Sequence, residues 1–211
     1  MPTQLSPAQA WQQLKDGNTR FIKDEMEHPS QGFDRREELQ VAQHPFATFF
    51  GCSDSRVAAE IIFDQGLGDL FVVRTAGHTL DTTIIGSIEY AVDVLRTPLI
   101  VVLGHDSCGA VHAAAQALVT GNQPTGFIRA LTDRVIPSIV AMTAPNGSLE
   151  SIDENELRRE HVKYTVDMLH SYSAAVSRAV EEGRCAIIGL EYDLADGQAH
   201  LIASIGNIDS E

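Results

Sequence analysis

At 211 residues the chain suits one domain with a well-buried core, needing no disulfides or other staples. Its 29 acidic residues outnumber 15 basic ones, a formal net charge of -14 that argues against a nucleic-acid or anionic-membrane partner, both of which need clustered Lys and Arg. No apolar run reaches the length of a membrane span, and Met1 to Lys15 lacks the basic-then-apolar order of a secretory signal, so the expected location is the cytoplasm. The three cysteines are far apart and odd in number, which points away from a disulfide framework and toward metal ligation, a nucleophile or core packing.

In chain order, Ser6-Pro7 is a helix start, a Ser cap followed by Pro at the first helical position. Ala10, Trp11, Leu14, Phe21 and Ile22 give that helix a broken apolar stripe to about Lys23, with Trp11 as a packing anchor. Asp24 to Gly32 reads as an extended linker, and Asp34 to Ala42 as a short polar helix. A regular alternation follows. Strands are expected at Phe46–Gly51, Leu70–Arg74 and the wholly apolar Leu99–Leu103. Between and after them come helices at Val57–Phe63, Thr82–Leu95 and Cys108–Val119.

Gly121 to Gly126 is a turn region, and the helix after it, to about Met142, carries Pro137 as a kink or split. Pro145-Asn146-Gly147 is a break. Leu149 to Glu182 is mostly helical and stops at Gly183. Cys185–Tyr192 and Ala199–Ile205 are the last strands, joined by a hairpin turn at Ala195–Gln198. The pattern predicts an α/β fold: a mainly parallel central sheet of about four strands plus an antiparallel edge strand, flanked by helices. Residues 1–211 form a single domain, with 1–45 as an N-terminal helical arm and 46–211 as the α/β core.

Two short stretches carry the chemistry: Cys52-Ser53-Asp54-Ser55-Arg56 and Gly104-His105-Asp106-Ser107-Cys108-Gly109, each following an expected strand. Zinc takes thiolate and imidazole ligands tetrahedrally, and His105 and Cys108, three apart at a helix start, can face one point. Cys52 joins them if both strands end on one edge of a parallel sheet, where open α/β sheets bind ligands. Three ligands leave a fourth position open, as in catalytic rather than structural zinc sites. Asp54 is the candidate for that position, and Arg56 can compete for it through a bidentate pair. Bound to zinc, Asp54 would block water; paired with Arg56, it would free the site. Asp106 reads as a cap on the helix that starts near Cys108. Two thiolates cancel the zinc charge, so activity is expected to rise toward alkaline pH. Cys185, in an apolar strand, reads as core. A redox pair lacks its C-x-x-C, and a nucleobase deaminase lacks its H-x-E and P-C-x-x-C.

At these residues the sequence resembles the β-class carbonic anhydrases. The matching pieces are the two stretches above, Val73-Arg74, Gly86-Ser87-Ile88-Glu89-Tyr90-Ala91-Val92 and Leu14-Lys15-Asp16-Gly17-Asn18-Thr19-Arg20-Phe21. Val72 to His78, the strand Leu99–Leu103 and Ser107 look most like the actinobacterial branch. The resemblance implies reversible hydration of CO2 to bicarbonate and a proton by attack of a zinc-bound hydroxide. It implies one Zn2+ per chain on Cys52, His105 and Cys108, with Asp54 and Arg56 as the gating dyad and Asp54 a ligand only in a closed state. It also implies a homo-oligomer, a dimer or a tetramer of two dimers, whose first helix embraces the neighbouring subunit.

Gln43, nine residues before Cys52, matches a glutamine that reaches the substrate pocket across that interface. Phe71, Val73 and Gly109 are candidate substrate-pocket residues, with Phe49 beside them by position. His78 and His112 lie near the motifs as candidates for proton export, although a core or solvated histidine is the favoured reading for each. Some members of the family close the gate through a bicarbonate held by a Trp, a Gly and a Tyr; Gly51 and Tyr192 match, but Phe49 lacks the indole donor. Two alternatives stay open: hydrolysis of a related small molecule such as carbon disulfide on the same scaffold, and a non-catalytic zinc-binding regulatory module.

Overall fold

The computed structural model describes residues 5–143 and 153–209. Helix α1 (Pro7–Ile22) starts on a capping box, Ser6 accepting from the Gln9 amide while the Gln9 side chain accepts from the Ser6 amide. Its buried Ala10, Trp11 and Leu14 pack on the sheet together with Phe49, Phe63, Leu103 and Leu190. Asn18, buried on the same helix, donates to the Ile62 and Gly197 carbonyls and accepts from the Ala199 amide. The polar helix is shorter than expected and starts one residue earlier, as α2 (Phe33–Glu38).

Strands β1 (Ala47–Cys52), β2 (Leu70–Thr75), β3 (Leu99–His105), β4 (Ala186–Tyr192) and β5 (Ala199–Ile205) form one sheet in the order β2-β1-β3-β4-β5. The first four are parallel and β5 pairs antiparallel with β4, as the sequence pattern predicts. Chain order reverses between β1 and β3, the switch point at which α/β sheets open a crevice. Alternation along the strands divides the core. Phe49, Val101, Leu103 and Ile188 face α1 and α3 (Ala59–Ile62), whereas Phe50, Ile100, Val102 and Ile187 face α4 (Thr82–Glu89), α7 (Glu154–Tyr172) and α8 (Ala174–Glu181).

Several helices depart from expectation for local reasons. The expected Val57–Phe63 helix shrinks to four residues because Val57 donates to the Asp54 carbonyl in a turn. Thr82–Leu95 divides into α4 and a wider turn over Tyr90–Val94, closed by the Leu95 amide on the Tyr90 carbonyl. Helix α5 spans Gly109–Thr120. Helix α6 (Ile128–Thr143) is not split: it runs through Pro137, forfeiting one backbone hydrogen bond. Ser173 separates α7 from α8 and caps α8 through the Val176 amide. The Pro145-Asn146-Gly147 break and the start expected at Leu149 lie outside the described residues. Helix α7 lies close on the sheet at Gly104, where an added Cβ would come 2.4 Å from Val162. Among the described residues, no helix is long and apolar enough to cross a membrane.

Candidate metal centre

Cys52 ends β1, His105 ends β3 and Cys108 precedes α5, so the switch point brings all three together. Their ligand atoms lie within 4.8 Å of one another, the one such group of metal-capable side chains among the described residues. The sulfurs of Cys52 and Cys108 are 4.0 Å apart. Two sulfurs at about 2.3 Å from a tetrahedral zinc would stand about 3.8 Å apart, so the spacing fits. His105 is buried, and its Nδ1 lies 2.6 Å from the Asp106 carbonyl oxygen. That bond assigns the proton to Nδ1 and leaves Nε2 buried with no hydrogen-bond partner. An orphaned imidazole nitrogen beside two thiols is a donor set for a borderline-soft dication.

The thiols differ. A hydrogen bond from Cys108 holds Cys52 well below the ordinary thiol range, and the Gly77 and Asp54 amides add smaller pulls the same way, against burial. Cys108 is pushed up by the neighbouring Cys52 sulfur and by burial, although the Val111 and Ala110 amides at the start of α5 favour its thiolate. Two thiolates this close repel, and a metal dication is the partner that lets both ionise.

Toward solvent, Asp54 accepts two side-chain bonds from Arg56, Nε to Oδ1 at 2.9 Å and Nη2 to Oδ2 at 2.7 Å. This pair holds the Asp54 carboxyl well below the usual range. Asp54 Oδ2 stands 4.0 Å from His105 Nε2, next to the ligand group without bonding to it. Arg74, given no role from sequence, clamps the loop by donating to the Cys52 carbonyl at 2.9 Å and the Asp54 carbonyl at 2.6 Å.

The remaining sequence candidates scatter. Gln43 is exposed in the segment before β1. Phe71 meets Tyr90 at 6.2 Å between ring centroids, and Val73 packs with the Phe50 cluster. Val72 points to the other face, where it joins Phe49, Val57 and Leu103 around a crevice beside Cys52 of about 10 Å³. That volume is at the lower limit for one water. Phe49 fills this side, its ring 5.0 Å from Phe63. Gly109 is the first residue of α5, so its N–H lacks an intrahelical partner.

His78 is core and His112 is exposed, paired with Glu154 at 2.8 Å. Asp106 is no helix cap: its carboxylate accepts from the Leu194 amide at 3.0 Å, because the turn after β4 comes closer to it than the start of α5 does. Sequence reasoning also missed Gly77, whose N–H donates to Cys52 Sγ at 3.3 Å, and His161 behind it. Neither sits in a motif with metal-ligand spacing.

The family model described as carbonic anhydrase matches residues 47–199. A carbonic anhydrase of Mycolicibacterium smegmatis is 53% identical over 203 residues, 96% of this chain and 97% of its own. Carbonic anhydrase 2 of Mycobacterium tuberculosis is 53% identical over 206 residues, 98% of each. Among solved structures, the β-carbonic anhydrase CafA of Aspergillus fumigatus superposes with a TM-score of 0.69 at 28% identity, covering 91% of this chain and 88% of that one. The Coccomyxa β-carbonic anhydrase shares the fold with a TM-score of 0.72 at 24% identity, covering 92% and 87%.

Proposed function

Because the chain belongs to the carbonic anhydrase family, in its β class, we propose that it hydrates CO2 reversibly to bicarbonate at a zinc held by Cys52, His105 and Cys108. The observation that carries this reading is the buried, partnerless His105 Nε2 beside two thiols 4.0 Å apart. Zinc, when bound, acidifies water for attack on the carbon of CO2 and stabilises the charge that develops on oxygen.

The chain's own groups then have separable roles. Arg56 keeps Asp54 ionised and turned from Cys52, His105 and Cys108, which would leave a metal held there open to water. Asp54, 4.0 Å from His105 Nε2, is placed to accept a hydrogen bond at that position and orient a lone pair toward substrate. Without Arg56 the same carboxylate would ligate the metal, and the pair is the gate. Gly109, with its N–H unpaired at the start of α5, can donate to a bicarbonate oxygen.

A single chain leaves the pocket unfinished. Phe33 and Val41, 68% and 93% exposed, are apolar side chains of the arm that stay largely open to solvent, Phe33 meeting only the Arg36 guanidinium over its ring, whereas the apolar face of α1 is spent on its own sheet. The proposal therefore gives α2 and the segment after it to a second copy, in a dimer or a tetramer, with Gln43 reaching the neighbour's pocket and Phe71 and Val73 lining it. We place the enzyme in the cytoplasm, where reduced thiols bind metal. Stopped-flow CO2 hydration with a pH indicator tests the reading, alongside zinc content per chain. Zinc-dependent acceleration that grows toward alkaline pH is expected; no acceleration with one zinc bound would overturn catalysis, and a flat profile would overturn the charge argument.

A further inference from the structure

Behind Cys52 a buried polar chain runs away from the sheet edge into α6 and α7. Gly77 stands at its head. Its N–H donates to Cys52 Sγ at 3.3 Å, and its carbonyl oxygen lies 2.9 Å from His161 Nε2. Since a carbonyl can only accept, Nε2 carries the proton, and His161 Nδ1 is left to accept from the Ser138 hydroxyl at 2.7 Å. Ser138 and His161 are 0% and 2% exposed, so these bonds are made away from bulk solvent.

Gly77 also sits where the backbone has little room to move. Its φ is +67°, in the left-handed region, and a Cβ there would come 2.8 Å from Ala110 in the first turn of α5, two residues after Cys108. The residue thus touches one thiol by hydrogen bond and the element carrying the other by packing.

We propose that His161 is a positioning residue for the metal centre: by holding the Gly77 carbonyl it fixes the amide that donates to the Cys52 sulfur, and Ser138 fixes His161. The proposal rests on the zinc assignment made above. Burying an imidazole and a hydroxyl where aliphatic side chains would fill the space is costly, and full pairing of both nitrogens offsets that cost while aiming the ring. The ring of His78 closes the other side, 4.4 Å away between centroids, and limits rotation. Burial pushes the His161 pKa down to about 4, which keeps the ring in its one-donor, one-acceptor form at neutral pH. An N–H bond to a thiolate withdraws charge from sulfur and fixes its direction, so the support acts on how strongly Cys52 donates to the metal.

The test uses the full-length protein with zinc or cobalt(II) loaded, and reads metal affinity by chelator competition and the sulfur-to-cobalt charge-transfer absorption. His161→Leu is expected to weaken zinc binding on the order of 10- to 100-fold, the usual effect of losing an outer support, and to shift the charge-transfer band. His161→Gln keeps an N–H for the Gly77 carbonyl and should recover most of both. Ser138→Ala should move both in the same direction by less. Wild-type affinity and an unmoved band in His161→Leu would overturn the proposal even if its melting temperature falls, because packing alone predicts only the fall. If His161→Leu fails to fold, wild-type affinity and an unmoved band in Ser138→Ala overturn it. A wild-type protein that shows no sulfur-to-cobalt band at all would instead overturn the ligand assignment, and the proposal with it.

Discussion

Two buried cysteines mark opposite edges of the same sheet, Cys52 at the carboxyl end of β1 and Cys185 just before the amino end of β4. They are similarly hidden, at 5% and 1% exposure, yet their thiols are driven in opposite directions. Burial dominates at Cys185, whose thiol is pushed up to about 12 against smaller opposite pulls from Arg184 and the Ala186 and Ile100 backbone, and its own S–H donates to the Ala186 carbonyl. Cys52 is desolvated too, but a second thiol and the Gly77 and Asp54 amides donate to it, and they outweigh the desolvation. What separates Cys52 from Cys185 is the donors aimed at the sulfur, not how little of it is exposed.

The strongest way to break the comparison is to remove a ligand. Cys108→Ala should abolish zinc binding and CO2 hydration together while the fold persists, since the surrounding Val111, Ala114, Val135 and Ile139 form an apolar cluster of their own. Zinc content by elemental analysis and stopped-flow rate check it, and retained activity would remove Cys108 from the ligand set. The solvent-facing half of the site should respond less. Arg56→Ala frees the Asp54 carboxylate to take the fourth metal position, and a loss on the order of 100-fold in kcat/KM is expected with zinc still bound. Asp54→Asn on top of it would reopen that position, so the double variant should regain part of the metal-bound anion binding even if not the rate. A cobalt spectrum that stays the same across both variants would sink the gate.

The cluster of Cys52, His105 and Cys108 was legible in the sequence because each stretch lies within a few residues of a strand end, and a parallel sheet collects strand ends on one edge. The Asp54–Arg56 pair was legible for the same reason, its partners being two residues apart. What failed were the long-range contacts that no strand end announces. Asp106 looked like a cap because its helix is near in sequence, whereas its acceptor role is set by Leu194, 88 residues on. His161 sits mid-helix in a run of charged residues, and nothing local says that it will meet Gly77, 84 residues earlier. The wall of the crevice at Cys52 follows the same logic: Val72, not its neighbours Phe71 and Val73, faces it, because side chains alternate along β2.

The imidazoles behind the site give a third, smaller effect with a defined sign. Burial holds both His161, at about 4, and His78 below the ordinary histidine pKa. The folded state therefore binds fewer protons than the unfolded chain below pH 6.5, and stability present above that pH is lost as pH falls toward 4. For His161 the window corresponds to about 3 kcal/mol. Urea unfolding between pH 7.5 and 5 should show the decline, and His161→Gln should flatten part of it. A slope equal in wild type and variant would mean that other groups carry it.

The smallest expected effect returns to the other cysteine. Cys185→Ala removes a buried sulfur that touches no ligand, so zinc content, rate and pH profile should all match wild type, with a stability loss of about 1 kcal/mol for the vacated space. This control matters because Cys185 belongs to the same core cluster as Phe50 and Ile100, on the strands β1 and β3 that carry the site. If emptying that space altered the rate as much as the stability, strain would be passing along β3 to His105, and donor geometry alone would no longer account for the difference between the two thiols. Urea melts and stopped-flow assays on one preparation decide it: a fall in stability with an unchanged rate keeps the two edges of the sheet independent.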